Sequence, residues 1–142
     1  MPYHLATPPE RKTVAFHAMK WWLIFAGGGA GSMLRYAVGL WVEARTGPGF
    51  PWGTFAVNVS GCFLIGVLAT LADEHAWITP AARLALVTGV LGGFTTFSTF
   101  GLETWELVED GRTLLALANA AASLGVGLAA VVAGVQLTRQ LI

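Results

Sequence analysis

The chain has 142 residues, of which 55% are apolar and only 11% charged, less than half the roughly 25% charged share of an ordinary soluble domain. Eight Lys and Arg balance eight Asp and Glu, so no basic surface exists to attract a nucleic acid, and that class of partner is excluded. Stretches of about twenty residues pass with hardly any charge, which a soluble fold could not tolerate and a lipid bilayer explains.

Residues 1–20 hold Pro2, Pro8, Pro9, Glu10, Arg11, Lys12 and Lys20 without a sustained apolar period. They are predicted to be a polar tail ahead of a membrane domain covering residues 21–142. A basic tail before an apolar run imitates a signal peptide, but the run continues through Ser32 and Met33 to Trp41. The prediction is therefore an uncleaved first span over residues 21–42, with Trp rings at both interfaces. At about 1.5 Å per residue such a helix crosses a hydrocarbon core of about 30 Å.

Gly47-Pro48-Gly49 leads into a second span over residues 52–71, which Asp73-Glu74 ends. Pro80 precedes a third over residues 82–107, and Glu109-Asp110-Gly111-Arg112 makes a short polar turn before a fourth over residues 114–137. The expected fold is all-α and integral to the membrane, with four transmembrane helices and both termini on one side. Short loops leave no room for a soluble domain, and no inverted internal repeat is present.

Small residues recur at helix-packing spacing: Gly27 with Gly31, Gly89 with Gly93, and Ser123 with Gly127. Lipid gives helices no hydrophobic drive to associate, so close backbone approach through small residues takes its place. Gly27 to Ser32 superficially resembles a phosphate loop, but no strand precedes it and it lies inside a membrane span. Cys62 is alone in an apolar stretch and reads as packing. His4, His17 and His75 have no second ligand at helical spacing, so no metal centre of side-chain ligands is expected.

Orientation is weakly specified. With the amino terminus inside, that side carries Arg11, Lys12, Lys20, Arg83 and Arg139, and the other carries Arg45 and Arg112. Without the tail the loop charges are nearly even, so the positive-inside rule gives little preference.

Chemistry concentrates in the third span. Gly92-Gly93-Phe94-Thr95-Thr96-Phe97-Ser98-Thr99-Phe100 places four hydroxyls and a glycine pair near mid-bilayer, where a lipid-facing helix has no use for them. The glycines weaken the helix, the hydroxyls can satisfy freed backbone groups, and irregular backbone at that depth must be buried in protein or line a cavity. A break near mid-membrane is expected here, exposing carbonyls able to hold a cation.

Phe94, Phe97 and Phe100 recur every three residues and share a face. Such a stripe is either ordinary core or a row of positive ring edges that meet an anion where water is excluded. In the second span Asn58 is an isolated amide among apolar residues, with donors suited to an anion. Arg35, inside the first span, either snorkels to the interface or makes a vestibule electropositive. Glu103 and Glu106 are read as solvated at the end of the third span.

These residues are carried by three blocks in order: GGGAGSMLRY from Gly27, GTFAVNVSGCFLIG from Gly53 and GGFTTFSTF from Gly92. Over residues 23–137 the sequence resembles the small bacterial fluoride channels called Fluc or CrcB. The resemblance implies a passive fluoride-selective channel, not an enzyme. It would sit in the bacterial inner membrane, export cytoplasmic fluoride and relieve its toxicity. It further implies an antiparallel, dual-topology homodimer with two pathways along the subunit contacts, and a structural sodium ion at the dimer centre held by the carbonyls of Gly92 and Thr95. Asn58, Phe97 and Phe100 would line the fluoride pathway, Thr96, Ser98 and Thr99 would add polar groups beside it, and Arg35 would supply the vestibule cation. Where some members carry a Tyr on the fourth helix, this chain has Asn119.

Two other classes compete. A small multidrug-type exporter coupled to protons needs a membrane-embedded carboxylate in the first span, and none occurs there before Glu43 in the following loop. A non-transporting membrane scaffold leaves the hydroxyl-rich centre unexplained.

Overall fold

In the computed structural model, which describes residues 10–74 and 77–142, the described chain is helical throughout apart from its connections. The elements are α1 (Glu10–Thr46), α2 (Trp52–Asp73), α3 (Pro80–Arg83), a π-helical segment (Leu84–Leu91), α4 (Gly92–Phe94), α5 (Phe97–Glu109) and α6 (Thr113–Leu141). Four spans have the length and apolar character to cross a bilayer: Ala18–Thr46, Trp52–Asp73, Pro80–Glu109 and Thr113–Leu141. All four predicted spans are present.

Two boundaries differ from expectation. Helix α1 begins at Glu10, so residues 10–20, assigned to the tail, carry helical backbone. No helix breaker intervenes after Pro9, and a helix nucleated by the apolar span extends back through this stretch. Residues 1–9, with His4, and the loop residue His75 lie outside the described residues. At the other end α1 runs on to Thr46, so Glu43 belongs to the helix and not to the loop.

Turn chemistry explains the tight connections. Gly47, at φ +74°, ends α1 with its N–H donating to Glu43 O at 3.0 Å. Gly111, also at φ +74°, ends α5: its N–H donates to Val108 O and that of Arg112 donates to Leu107 O, a Schellman pair. Arg112 then reaches Gly49 O, tying the two connections at this end together. At the opposite end Arg83 pairs with Asp73 and Arg139 with Glu74.

Glycine notches decide the packing. A Cβ on Gly27 would stand 2.6 Å from Ala85 O, and one on Gly31 would strike Val90 O, so α1 lies backbone to backbone against the π segment. Gly66 and Gly134 do the same reciprocally for α2 and α6, facing the backbones of Val131 and Phe63. Val57, Leu91 and Phe94 are buried where α2 meets the third span, with Val38 and Leu68 packed on them.

Between α4 and α5 the backbone leaves the helix at Thr95 (φ −80°, ψ 157°) and Thr96 (φ −150°, ψ 114°). Upstream of these residues the third span packs mainly on α1, and downstream it packs on α6. Two extended residues therefore let one span change partners midway.

Candidate functional site

Thr95 and Thr96 are held in extended geometry by α1 and α2. In a continued helix the Thr96 N–H would donate to Gly92 O; here it donates to Asn58 Oδ1 at 2.8 Å, while Asn58 Nδ2 donates back to Thr96 O at 2.9 Å. The carboxamide thus replaces a peptide neighbour on both sides, as buried backbone polar groups require. From α1, Arg35 Nη1 donates to Thr95 O at 3.3 Å and Ser32 Oγ to Gly93 O at 3.4 Å. Thr95 Oγ1 and N–H both return to Leu91 O, at 3.0 Å each, which closes the last turn of the upstream arm.

Thr96 also starts the next helix. Its Oγ1 accepts from Thr99 N at 3.2 Å as an N-cap and donates to Thr99 Oγ1 at 2.9 Å, with Ser98 Oγ at 3.4 Å. Thr96 is 8% exposed, whereas Ser98 and Thr99 lie on the outside of the chain.

Two grooves meet at Thr96. The first, of about 440 Å³, is lined by Asn58, Gly61, Cys62, Thr95, Thr96, Phe97, Phe100, Ser123 and neighbouring apolar residues of α2, the third span and α6. The rings of Phe97 and Phe100 stand 5.5 Å apart on its wall, and Phe97 is 83% exposed. The second groove, of about 300 Å³, runs between α1, α2 and α5 past Ser32, Arg35, Glu43, Thr54, Thr99 and Glu103.

Most of the residues singled out in the sequence converge here. Asn58, Thr95, Thr96, Phe97, Phe100 and Gly92 line the first groove; Arg35, Thr96 and Thr99 line the second. Phe94 is separated from its stripe: it is buried at 4% exposure in the core, because the extended residues rotate it away from Phe97. Arg35 does not snorkel, since its guanidinium is bonded to Thr95 O.

The reading of Glu103 as a solvated end-of-span carboxylate is corrected. It is part-buried, its Oε1 accepts from Thr54 Oγ1 at 2.8 Å, and its Oε2 is buried with no hydrogen-bond partner among the described residues. Packing of α2 across α5 encloses it, which sequence position could not reveal. Sequence reasoning also missed Ser32 and Thr104. A hydroxyl on a membrane helix signals a partner in general, but not whether the partner is its own helix or another. Asn119 is placed on α6, 1% exposed, with Nδ2 donating to Thr104 Oγ1 at 2.8 Å.

The carbonyls of Gly92 and Thr95 were expected to hold sodium. Diversion of the Thr96 N–H to Asn58 relieves Gly92 O of its helical donor. Thr95 O receives Arg35 at the long end of hydrogen-bond range and, as a carbonyl with two lone pairs, retains one. Each is by type a ligand that a hard cation takes, and the Arg35 guanidinium beside Thr95 O would add repulsion to a cation there.

Comparison with known proteins agrees with this picture. The family described as CrcB-like protein, Camphor Resistance (CrcB), matches residues 22–135. A protein of Rhizobium meliloti (strain 1021) named fluoride-specific ion channel FluC is 51% identical over 120 residues, covering 84% of this chain and 96% of the relative. Relatives of the same name from Solibacter usitatus (strain Ellin6076) and Acidobacterium capsulatum are 49% identical over 122 residues and 46% over 113. They cover 86% and 80% of this chain, and 100% and 90% of the relatives. Since the matched region runs from the first span through most of the fourth and takes in every residue of the two grooves, the chain belongs to the CrcB-like protein family.

Proposed function

We propose that this protein is a passive fluoride-selective channel that lets cytoplasmic fluoride out of a bacterium through the inner membrane and so relieves its toxicity. One observation carries the reading. Asn58, Thr95, Thr96, Phe97 and Phe100 line a single groove that is open along the chain's surface, with Phe97, Ser98 and Thr99 exposed residues. Lipid cannot satisfy hydroxyls or irregular backbone, so this face requires protein or water against it.

A second copy inserted upside down is the proposed cover, which turns each groove into a path between subunits. The weak charge bias of the loops suits such dual insertion. Fluoride holds its water strongly, and the path must replace that shell without binding too tightly for exit. Asn58 spends one of its two Nδ2 hydrogens on Thr96 O, leaving the other for the ion. Ser98 and Thr99 hydroxyls and the edges of Phe97 and Phe100 add further positive contacts. Where the two interrupted spans meet, the carbonyls of Gly92 and Thr95 would hold a sodium ion that fixes the pair.

The proton-coupled exporter is the rival that the structure touches, because Glu43 lies within α1. That residue stands in the helix's last turn, beside the Gly47 cap, where exchange with bulk water needs no membrane crossing.

Liposomes holding the purified protein separate the readings. Fluoride is expected to leave them down its gradient, chloride is not, and a proton gradient alone should drive nothing. Phe97→Ile and Phe100→Ile are each expected to stop fluoride while leaving the assembled protein intact by size-exclusion chromatography. Wild-type efflux through both variants would remove these rings from the pathway, and a wild-type protein that passes no fluoride would sink the channel reading.

A further inference from the structure

Asn119 is a carboxamide enclosed at 1% exposure on a predominantly apolar helix. Burial of such a group is expensive unless it is bonded. Its Nδ2 donates to Thr104 Oγ1 at 2.8 Å, and its Oδ1 accepts from Ser123 Oγ at 3.4 Å. Thr104 Oγ1 in turn donates to Phe100 O at 2.6 Å. A continuous relay thus runs from α6 to the backbone of the residue whose ring walls the first groove.

We propose that Asn119 is a positioning residue for Phe100: through Thr104 it sets the rotation of α5 on α6 and so aims the ring into the groove. Helix α5 starts directly after two extended residues, so no upstream helix dictates its rotation. Its main neighbour is α6, and while Glu103, the residue before Thr104, is bonded to Thr54 of α2, the Asn119–Thr104 bond is what fixes α5 laterally on α6. Since successive residues differ by about 100° around a helix axis, a modest turn of α5 withdraws Phe100 from the wall and opens its 5.5 Å approach to Phe97. Asn119 itself is too enclosed to touch a passing ion. The inference rests on the channel reading for its consequence but not for its geometry.

The test places 4-fluorophenylalanine at position 100 and records fluorine NMR alongside liposome efflux. Asn119→Ala and the isosteric Thr104→Val are each expected to shift or broaden the signal and to slow fluoride efflux roughly three- to tenfold, the scale of one lost hydrogen bond. Thr104→Ser keeps both bonds and should restore the wild-type signal. If Asn119→Ala fails to assemble, Thr104→Val carries the test alone. A wild-type signal in Thr104→Val, whatever its efflux, overturns the proposal. So does a signal disturbed equally by Thr104→Ser and Thr104→Val. Absence of fluoride efflux in the wild type would instead strike the channel reading and leave the signal comparison standing.

Discussion

At the scale of single residues, Asn58 has one task that the structure shows, holding the Thr96 backbone, and one proposed for it, meeting the anion, and a substitution can separate them. One oxygen and one N–H are bonded to the Thr96 backbone, and the remaining N–H is the one left for an anion. Asn58→Asp keeps the acceptor for Thr96 N–H but leaves Thr96 O without its donor, at a cost of about 1–3 kcal/mol. It also sets a negative charge on the groove wall, which at about 4 Å and an effective dielectric constant near 20 repels an anion by about 4 kcal/mol. Fluoride efflux should therefore fall about 100-fold or more, while the midpoint of thermal unfolding in detergent falls by only a few degrees. Equal loss in both measurements would reduce Asn58 to a backbone support. The sequence marked Asn58 as an isolated amide, and its partner lay 38 positions away at Thr96, so the donor set was legible and its pairing was not. Glu103 shows the same limit, because its enclosure depends on Thr54 from another helix.

At the scale of elements, hydropathy was enough to find four spans, because a bilayer demands about twenty apolar residues and little else meets that demand here. Details set by neighbours escaped. The run Leu84–Leu91 reads as plain apolar helix but forms a π segment against α1, where Gly27 and Gly89 bring two backbones together. Helical residues before Trp21 escaped as well, since no apolar period marks that stretch. The packing of α1 yields a sharp comparison. A methyl group on Gly31 would meet the Val90 carbonyl and stand 2.8 Å from Phe94 N, both backbone atoms that cannot swing away. Gly31→Ala should cost about 1–3 kcal/mol and lower the detergent unfolding midpoint. Gly125 has nothing within 4 Å of its would-be Cβ, so Gly125→Ala should stay within about 0.5 kcal/mol of wild type. Equal damage at both positions would mean that the notches do not govern packing.

On the scale of the whole molecule, the proposed reading leaves one chain incomplete as a channel: its groove is open along the surface, and Phe97 on its wall is 83% exposed. Arg83 and Arg139 are each paired with a carboxylate at their own end, while Arg45 and Arg112 balance them at the other. Only Arg11, Lys12 and Lys20 tip this balance; with the remaining charges so even, insertion both ways up is expected, and a carboxyl-terminal tag should be labelled from outside the cell in a substantial share of the chains. Adding two Arg to the connection between α2 and α3, on the side that already carries Arg83 and Arg139, should bias insertion to one orientation, deplete antiparallel pairs and abolish fluoride efflux. The pair should also depend on the sodium ion proposed to sit between the Gly92 and Thr95 carbonyls of the two copies. Replacing sodium by a large organic cation is expected to shift purified protein from dimer towards monomer on size-exclusion chromatography. Arg35 provides the internal control: it bonds the Thr95 carbonyl, so Arg35→Gln, which removes the guanidinium charge beside that oxygen, should lower the sodium concentration at which dimers form. Dimers that persist unchanged without sodium would remove the ion from the assembly, and chains labelled from one side only would remove the antiparallel pair and with it the covered groove.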